Sequence, residues 1–332
     1  MLVKDSIKVG KYTVHNRMVK APIWSDSCEN GYITQKTIDH YEDRSRGSRF
    51  GIYVVEHTYV RNDGIASPSQ LSSSRDSDIE GLKKLADIIH KNGSLAILQL
   101  NHAGCGAFRS WTGQDAVSAS NISVACGIPS SDPNPELPKA LTINEIKELE
   151  TYYVKAAQRA MAAGYDGINL HSAHSYLLNQ FYSPIMNKRI DAYNGYTLEG
   201  RTRIHMELIE EIRKVIGDKL FMLRLGGCDY KNGGSTIEDA VEASKRFEQA
   251  GVDLIDISGG HCCFLRPGHT YPGYFADTSE AVKKAVNIPV LVTGGVKTVA
   301  DAERLLQEGK ADLIGVGRAI TADANWGMEL AK

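Results

Sequence analysis

The chain has 332 residues, 42% of them hydrophobic and 23% charged, enough for one large barrel or two modest domains around a well-buried core. With 38 basic against 40 acidic residues its net charge is -2, which gives no long-range field to gather nucleic acid or an anionic membrane. The amino terminus lacks an apolar signal core and no run of about twenty apolar residues occurs, so a soluble cytoplasmic protein is expected, its oligomeric state left open.

Residues 7–14 alternate around Gly10 and predict a small hairpin; residues 18–22 predict a first strand stopped by Pro22, which cannot donate to a ladder. The β-branched run 51–60 suits a strand buried on both faces. Ile79, Leu82, Leu85, Ala86 and Ile89 recur at helical spacing, Gly93 closes that helix, and a strand follows over 94–100. Residues 103–140, rich in Gly, Ser, Pro and Asn, read as a long loop excursion after the third main strand.

Thr142 and Glu145 then open a helix in capping-box spacing. A repeated unit of helix, turn and strand follows: Gly164 precedes Asp166, Gly251 precedes Asp253 and Gly309 precedes Asp312, each at the head of an apolar strand. Further strands are expected over 220–226 and 289–295, with helix starts at Ser235 with Glu238 and at Thr298 with Asp301. Strands beginning near 18, 51, 94, 166, 220, 253, 289 and 311 alternate with helices, the pattern of an α/β (β/α)8 TIM barrel over residues 1–332 as a single domain. A doubly wound open sheet is the alternative, but no G-x-G-x-x-G follows the first strand.

In a parallel α/β protein, ligands sit at the carboxyl ends of strands. There the chain places His171, His174 and Tyr176, a trio able to hydrogen-bond one anionic or carbonyl oxygen or to hold a metal. The same mouth gathers Pro22, Trp24, Glu56, His57, Gln99, His102 and Arg224. Gly294-Gly295 and Gly317-Arg318 end the last two strands, where backbone N–H groups, a helix beginning near Ala319 and a guanidinium suit a phosphate. A planar, electron-accepting cofactor fits the rest: Arg224 beside a ring that becomes anionic on reduction, and Gln99 at its pyrimidine edge. The cysteines (Cys28, Cys105, Cys126, Cys228, Cys262 and Cys263) have no C-x-x-C spacing and are expected to be thiols in a reducing compartment.

The segments HNRMVKAP (15–22), GIYVVEHTYV (51–60), ILQLNHAG (97–104), GYDGINLHSAHSYLLNQFYSPIMNKR (164–189), RLGG (224–227), DISGG (256–260), VTGGV (292–296) and DLIGVGR (312–318) together resemble the Old Yellow Enzyme family of NADH:flavin oxidoreductases. The resemblance implies FMN held non-covalently in a barrel and the reduction of activated C=C bonds of enone-type substrates with NADH or NADPH. It places Pro22, Trp24, His57, Gln99 and Arg224 around the flavin ring, and Gly294, Gly295, Gly317 and Arg318 at its phosphate. His171 and His174 then grip the substrate carbonyl and Tyr176 donates the proton.

Three positions depart from the family pattern. Trp24 and His57 stand where small residues are usual, and Asn169 replaces a common acidic residue. A chain stopping at Lys332 without a matching cysteine cluster is expected to be a single-domain flavoprotein. The rival readings are an FMN-binding protein in which Trp24 and His57 block hydride transfer, and a metal hydrolase with His102, His171 and His174 as ligands.

Overall fold

Short apolar runs pair side by side into a closed parallel barrel in the computed structural model, which describes residues 1–122 and 137–331. The strands are β1 (Ile7–Val9), β2 (Tyr12–Val14), β3 (Met18–Lys20), β4 (Ile52–Tyr59), β5 (Leu95–Asn101), β6 (Val117–Ser118), β7 (Lys139–Ala140), β8 (Gly167–Ser172), β9 (Leu220–Cys228), β10 (Leu254–Gly259), β11 (Val290–Thr293) and β12 (Leu313–Val316). The helices are α1 (Gln35–Ser45), α2 (Ile79–Lys91), α3 (Arg109–Thr112), α4 (Ile143–Ala162), α5 (Leu177–Tyr182), α6 (Leu198–Ile216), α7 (Ile237–Gln249), α8 (Ala276–Lys283), α9 (Val299–Gln307) and α10 (Arg318–Ala322). The barrel runs β3, β4, β5, β8, β9, β10, β11, β12 and closes β12 on β3 through parallel pairing such as Gly315 with Val19. This is the (β/α)8 architecture that the sequence predicts.

The alternation of strand side chains divides the core in two. Val19, Ile52, Val54, Ile97, Leu220, Met222, Leu254, Leu291 and Leu313 point inward and pack with Val9 and Val14 of the antiparallel β1–β2 hairpin, which stops one end of the barrel. The outward residues of the same strands pack with the apolar faces of the helices, among them Leu82, Leu85 and Ile89 of α2 and Ile204, Leu208 and Ile212 of α6. All the polar chemistry of the strands is therefore left to the opposite, carboxyl end.

Capping boxes form at Thr142 with Glu145 and at Thr298 with Asp301, as expected. The start of α7 differs by one residue. Thr236 caps it with Asp239, because Thr236 takes the extended conformation while the Ser235 N–H is drawn to the Asp229 carboxylate at 2.8 Å. Gly164, Gly251 and Gly309 turn the chain at φ of 84°, 104° and 72° between helix and strand, where a side chain would be strained.

Within the predicted loop excursion, the described part carries α3 and the parallel β6–β7 pair, so that stretch is more ordered than its composition suggests. Cys126 lies outside the described residues. Cys28, Cys228 and Cys262 are free thiols, but Cys263 is disulfide-bonded, which corrects the expectation of thiols throughout. Among the described residues no helix is long and apolar enough to cross a membrane.

Candidate active site

Strand register builds the floor of the mouth. Gln99 follows inward Ile97 on β5, Arg224 follows inward Met222 on β9, and Asp256 follows inward Leu254 on β10, each two residues on and so on the same face. Gln99 pairs in register with Asn169, Arg224 with both His171 and Asp256. Polar side chains thus replace aliphatic ones one layer above the core.

They are linked. Gln99 Nε2 donates to Asn169 Oδ1 at 3.2 Å, and Asn169 Nδ2 donates to Asp256 Oδ2 at 3.5 Å. Thr293 Oγ1 donates to the other Asp256 oxygen at 3.4 Å, and Arg224 Nε lies 3.7 Å from Asp256 Oδ2. Burial raises the Asp256 carboxyl above its usual range against the opposing pull of Arg224. Arg224 Nη2 also donates to Ser258 Oγ at 3.4 Å, and Ser258 Oγ meets His174 Nε2 at 2.8 Å. The arginine is both an internal ion pair and the start of a chain leading to the histidines.

His171, His174 and Tyr176 do converge. The ring centroids of His171 and His174 are 5.2 Å apart with the planes at 87°, and those of His171 and Tyr176 are 5.2 Å apart at 78°. His171 Nδ1 and Arg224 Nε are buried without a hydrogen-bond partner, as are both amide atoms of Asn101, which shares the inward face with Gln99. Loss of hydration, then neighbouring positive groups, hold both imidazoles well below the ordinary histidine range. Burial alone pushes the Tyr176 phenol up to about 12. At neutral pH all three are uncharged and carry a proton to donate.

His57 joins them through a local irregularity. The β4–β5 register shifts between Val55 and Thr58, and a bulge of this kind re-aims side chains. The His57 ring comes to lie 5.6 Å from Tyr176 and 6.4 Å from His171. Burial, then Arg224, lowers its pKa to about 4. Trp24, by contrast, is 42% exposed at the rim beside half-buried Pro22. The following residue is fixed from below, since Ser25 N donates to buried Glu56 at 3.2 Å.

The last two strands end in a glycine cradle. Gly295 has φ 71°, and a Cβ there would lie 2.5 Å from the Tyr274 ring; one on Gly294 would lie 3.1 Å from Phe275, and one on Gly317 2.6 Å from Ile23. Arg318 Nη2 donates to the Tyr274 hydroxyl at 3.1 Å. The helix expected here, α10, has 5 residues, so Arg318 supplies the positive charge more than any helix dipole does.

His102 stands apart. Its buried ring meets Asp63 at 3.1 Å, and Asp63 is paired with Arg61. Among the described residues no group of three or more His, Cys, Asp or Glu could hold a metal ion, so the hydrolase reading loses its third ligand. Sequence reading missed Asn101, Asp256, Ser258, Thr293 and Tyr274. The first four were detectable as polar residues on the inward face of apolar strands; Tyr274 carried no signal.

Buried, unpartnered donors around a flat mouth, with a backbone cradle and a guanidinium at one side, fit a planar ring bearing a phosphate tail, and so fit FMN. Comparison with known proteins agrees. The model of the NADH:flavin oxidoreductase / NADH oxidase family matches residues 5–332. The NADH oxidase of Thermoanaerobacter brockii is 34% identical over 329 residues, covering 96% of this chain and 49% of that protein, so this chain spans about half of its length. The NADPH dehydrogenase of Halalkalibacterium halodurans is 36% identical over 329 residues, covering 98% of this chain and 93% of that protein. Among solved structures, a 2-naphthoyl-CoA reductase in complex with 2-naphthoyl-CoA aligns with a TM-score of 0.88 at 28% identity, over 97% of this chain and 51% of that one. The Old Yellow Enzyme homologue of Zymomonas mobilis aligns with a TM-score of 0.84 at 24% identity, over 98% of this chain and 91% of that one, a likeness of fold. With residues 5–332 matched, the chain belongs to the NADH:flavin oxidoreductase / NADH oxidase family.

Proposed function

We propose that the chain, acting as one FMN-binding unit, reduces activated C=C bonds of α,β-unsaturated carbonyl compounds with electrons from NADH or NADPH, donor and acceptor using the same mouth in turn. The observation that carries this is the neutral trio of His171, His174 and Tyr176 around a buried, unpartnered Nδ1. FMN, when bound, supplies two-electron hydride chemistry. Pro22, Trp24, His57, Gln99 and Arg224 would surround its ring in this reading, and Gly294, Gly295, Gly317 and Arg318 would hold its phosphate.

The chain Arg224 to Ser258 to His174 sets the tautomer in this reading. Arg224 donates to Ser258 Oγ, whose own proton then points to His174 Nε2 and leaves the imidazole proton on Nδ1. His171 and His174 each give an N–H to the carbonyl oxygen and stabilise the charge that builds on it. Tyr176, un-ionised at its raised pKa of about 12, passes its proton to the α-carbon.

The test is a visible titration of the FMN-loaded protein with a simple phenol, followed by turnover of 2-cyclohexen-1-one. A new long-wavelength band and enone turnover are expected, with His171→Ala weakening both while retaining FMN. Tyr176→Phe should slow reoxidation by the enone by about a hundredfold and leave reduction by NADH or NADPH unchanged. Loss of FMN from both variants would overturn these roles. A second reading, an FMN-binding protein with weak turnover, is favoured by the His57 ring stacked on Tyr176, and it predicts bound FMN without the band.

A further inference from the structure

The turn that carries His174 and Tyr176 is not a relaxed one. His174 has φ 61° and Ser175 has φ 56°, two consecutive left-handed residues with side chains, a strained conformation for both. Something must hold it. The His174 N–H donates to Gly259 O at 3.1 Å. Every polar group of Ser175 is engaged by a side chain: its N–H by Asn179 Oδ1 at 2.9 Å, its C=O by Gln180 Nε2 at 2.6 Å and its hydroxyl by His261 Nδ1 at 3.0 Å.

His261 comes from a different part of the chain, beyond β10, and is itself fixed. Its backbone N–H donates to Asp229 Oδ1 at 2.7 Å. The other Asp229 oxygen accepts from Ser183 Oγ at 2.6 Å and from Ser235 N at 2.8 Å. Ser183 is the residue that ends α5, and Ser175 lies just before its first turn. Ser175, His261, Asp229 and Ser183 therefore close a buried ring of contacts that grips α5 at both ends. Among the described residues the His261 side chain hydrogen-bonds to Ser175 alone and the Asp229 anchor is made by its backbone, so the ring can be cut there without touching that anchor.

We infer that His261 is a positioning residue: through the Ser175 hydroxyl it holds the left-handed turn that aims His174 and Tyr176 into the cleft. The inference rests on the proposed reading in which those two residues meet the substrate. In this role His261 acts through Ser175, and its contribution is geometric.

The discriminating feature is which ring nitrogen matters. An asparagine at 261 can place a hydrogen-bonding atom near the position of Nδ1, whereas a glutamine reaches toward that of Nε2 and a leucine offers none. In the FMN-loaded protein we expect His261→Leu to weaken phenol binding and to lower kcat/KM for 2-cyclohexen-1-one about five- to tenfold, the size of one lost hydrogen bond, with FMN retained. His261→Asn should stay within about twofold of the wild type and His261→Gln should resemble His261→Leu. Ser175→Ala, which removes only the hydroxyl, should match His261→Leu, and the double variant should be no worse than either single one. Equal losses in the asparagine, glutamine and leucine variants, or additive losses in the double variant, would overturn the inference; so would a leucine variant with wild-type phenol binding. A wild-type protein that holds FMN yet gives neither band nor turnover would instead defeat the reading of the cleft, and this role with it. Should His261→Leu fail to fold, Ser175→Ala with phenol binding alone decides between the same outcomes.

Discussion

The imidazole of His57 stacks on the phenol of Tyr176, ring centroids 5.6 Å apart and planes inclined by 23°. The contact joins a residue re-aimed by a strand irregularity to the group proposed as proton donor. A flat ligand lying against Tyr176, as the proposed function requires, would have to displace this contact. We expect His57→Ala to tighten phenol binding by about three- to tenfold, since an aromatic contact of this kind is worth about 0.5–1.5 kcal/mol. Unchanged or weaker binding in the same titration would show that His57 supports the ligand and does not compete with it.

Arg224 and Asp256 are buried together, and their separation of 3.7 Å leaves Arg224 Nε with a charge partner but no hydrogen bond. Removing one member strands the other. Arg224→Leu should cost about 3–5 kcal/mol of stability in urea unfolding, and adding Asp256→Asn should recover part of it. If the double variant were as unstable as the single one, the loss would come from packing and not from the uncompensated carboxylate.

Gly295→Ala sets a methyl group against the Tyr274 ring at a positive φ. FMN affinity is expected to fall at least about tenfold, equivalent to 1.4 kcal/mol, while the far-UV spectrum keeps its barrel signature. Adding Tyr274→Ala should relieve the collision and return part of the affinity. Full retention of FMN by Gly295→Ala would place the phosphate elsewhere.

His205 links α6 to the barrel through Ser172 at 2.7 Å, between the rings of Tyr182 and Phe247. Burial lowers its pKa to about 3. The unfolded chain, with an ordinary histidine near 6.5, therefore binds the proton more readily between these values, so stability is full above about pH 6.5 and falls as the pH drops toward 3. At pH 5 this one group should have removed about 2 kcal/mol. Thermal melts of the wild type and His205→Asn from pH 7 to 5 check it; a variant with the same acid sensitivity would move the effect to other groups.

How much of this could be read from the residues differs by level. The strand starts, the hairpin and the glycine turns were legible because alternation, apolar runs and positive-φ glycines are local signals. His171, His174 and Tyr176 could be placed at one strand end because they are neighbours in the chain. Asp256, Ser258 and Thr293 were detectable as polar residues on apolar strands, but strand register, set by closure of the barrel, decides which side chains they meet, and the aim of His57 depends on a register shift between Val55 and Thr58. His102 shows the converse: it sits at a strand end, yet Asp63, far off in sequence, claims its ring. The cap of α7 slipped by one residue because Asp229 took the Ser235 N–H.

The β1–β2 hairpin has a consequence for traffic. With Val9 and Val14 driven into the inner core like a cork, the barrel is a flask and not a pipe. If donor and acceptor use the same mouth, as proposed, both must enter by the one open end, and an excess of either is expected to slow the other.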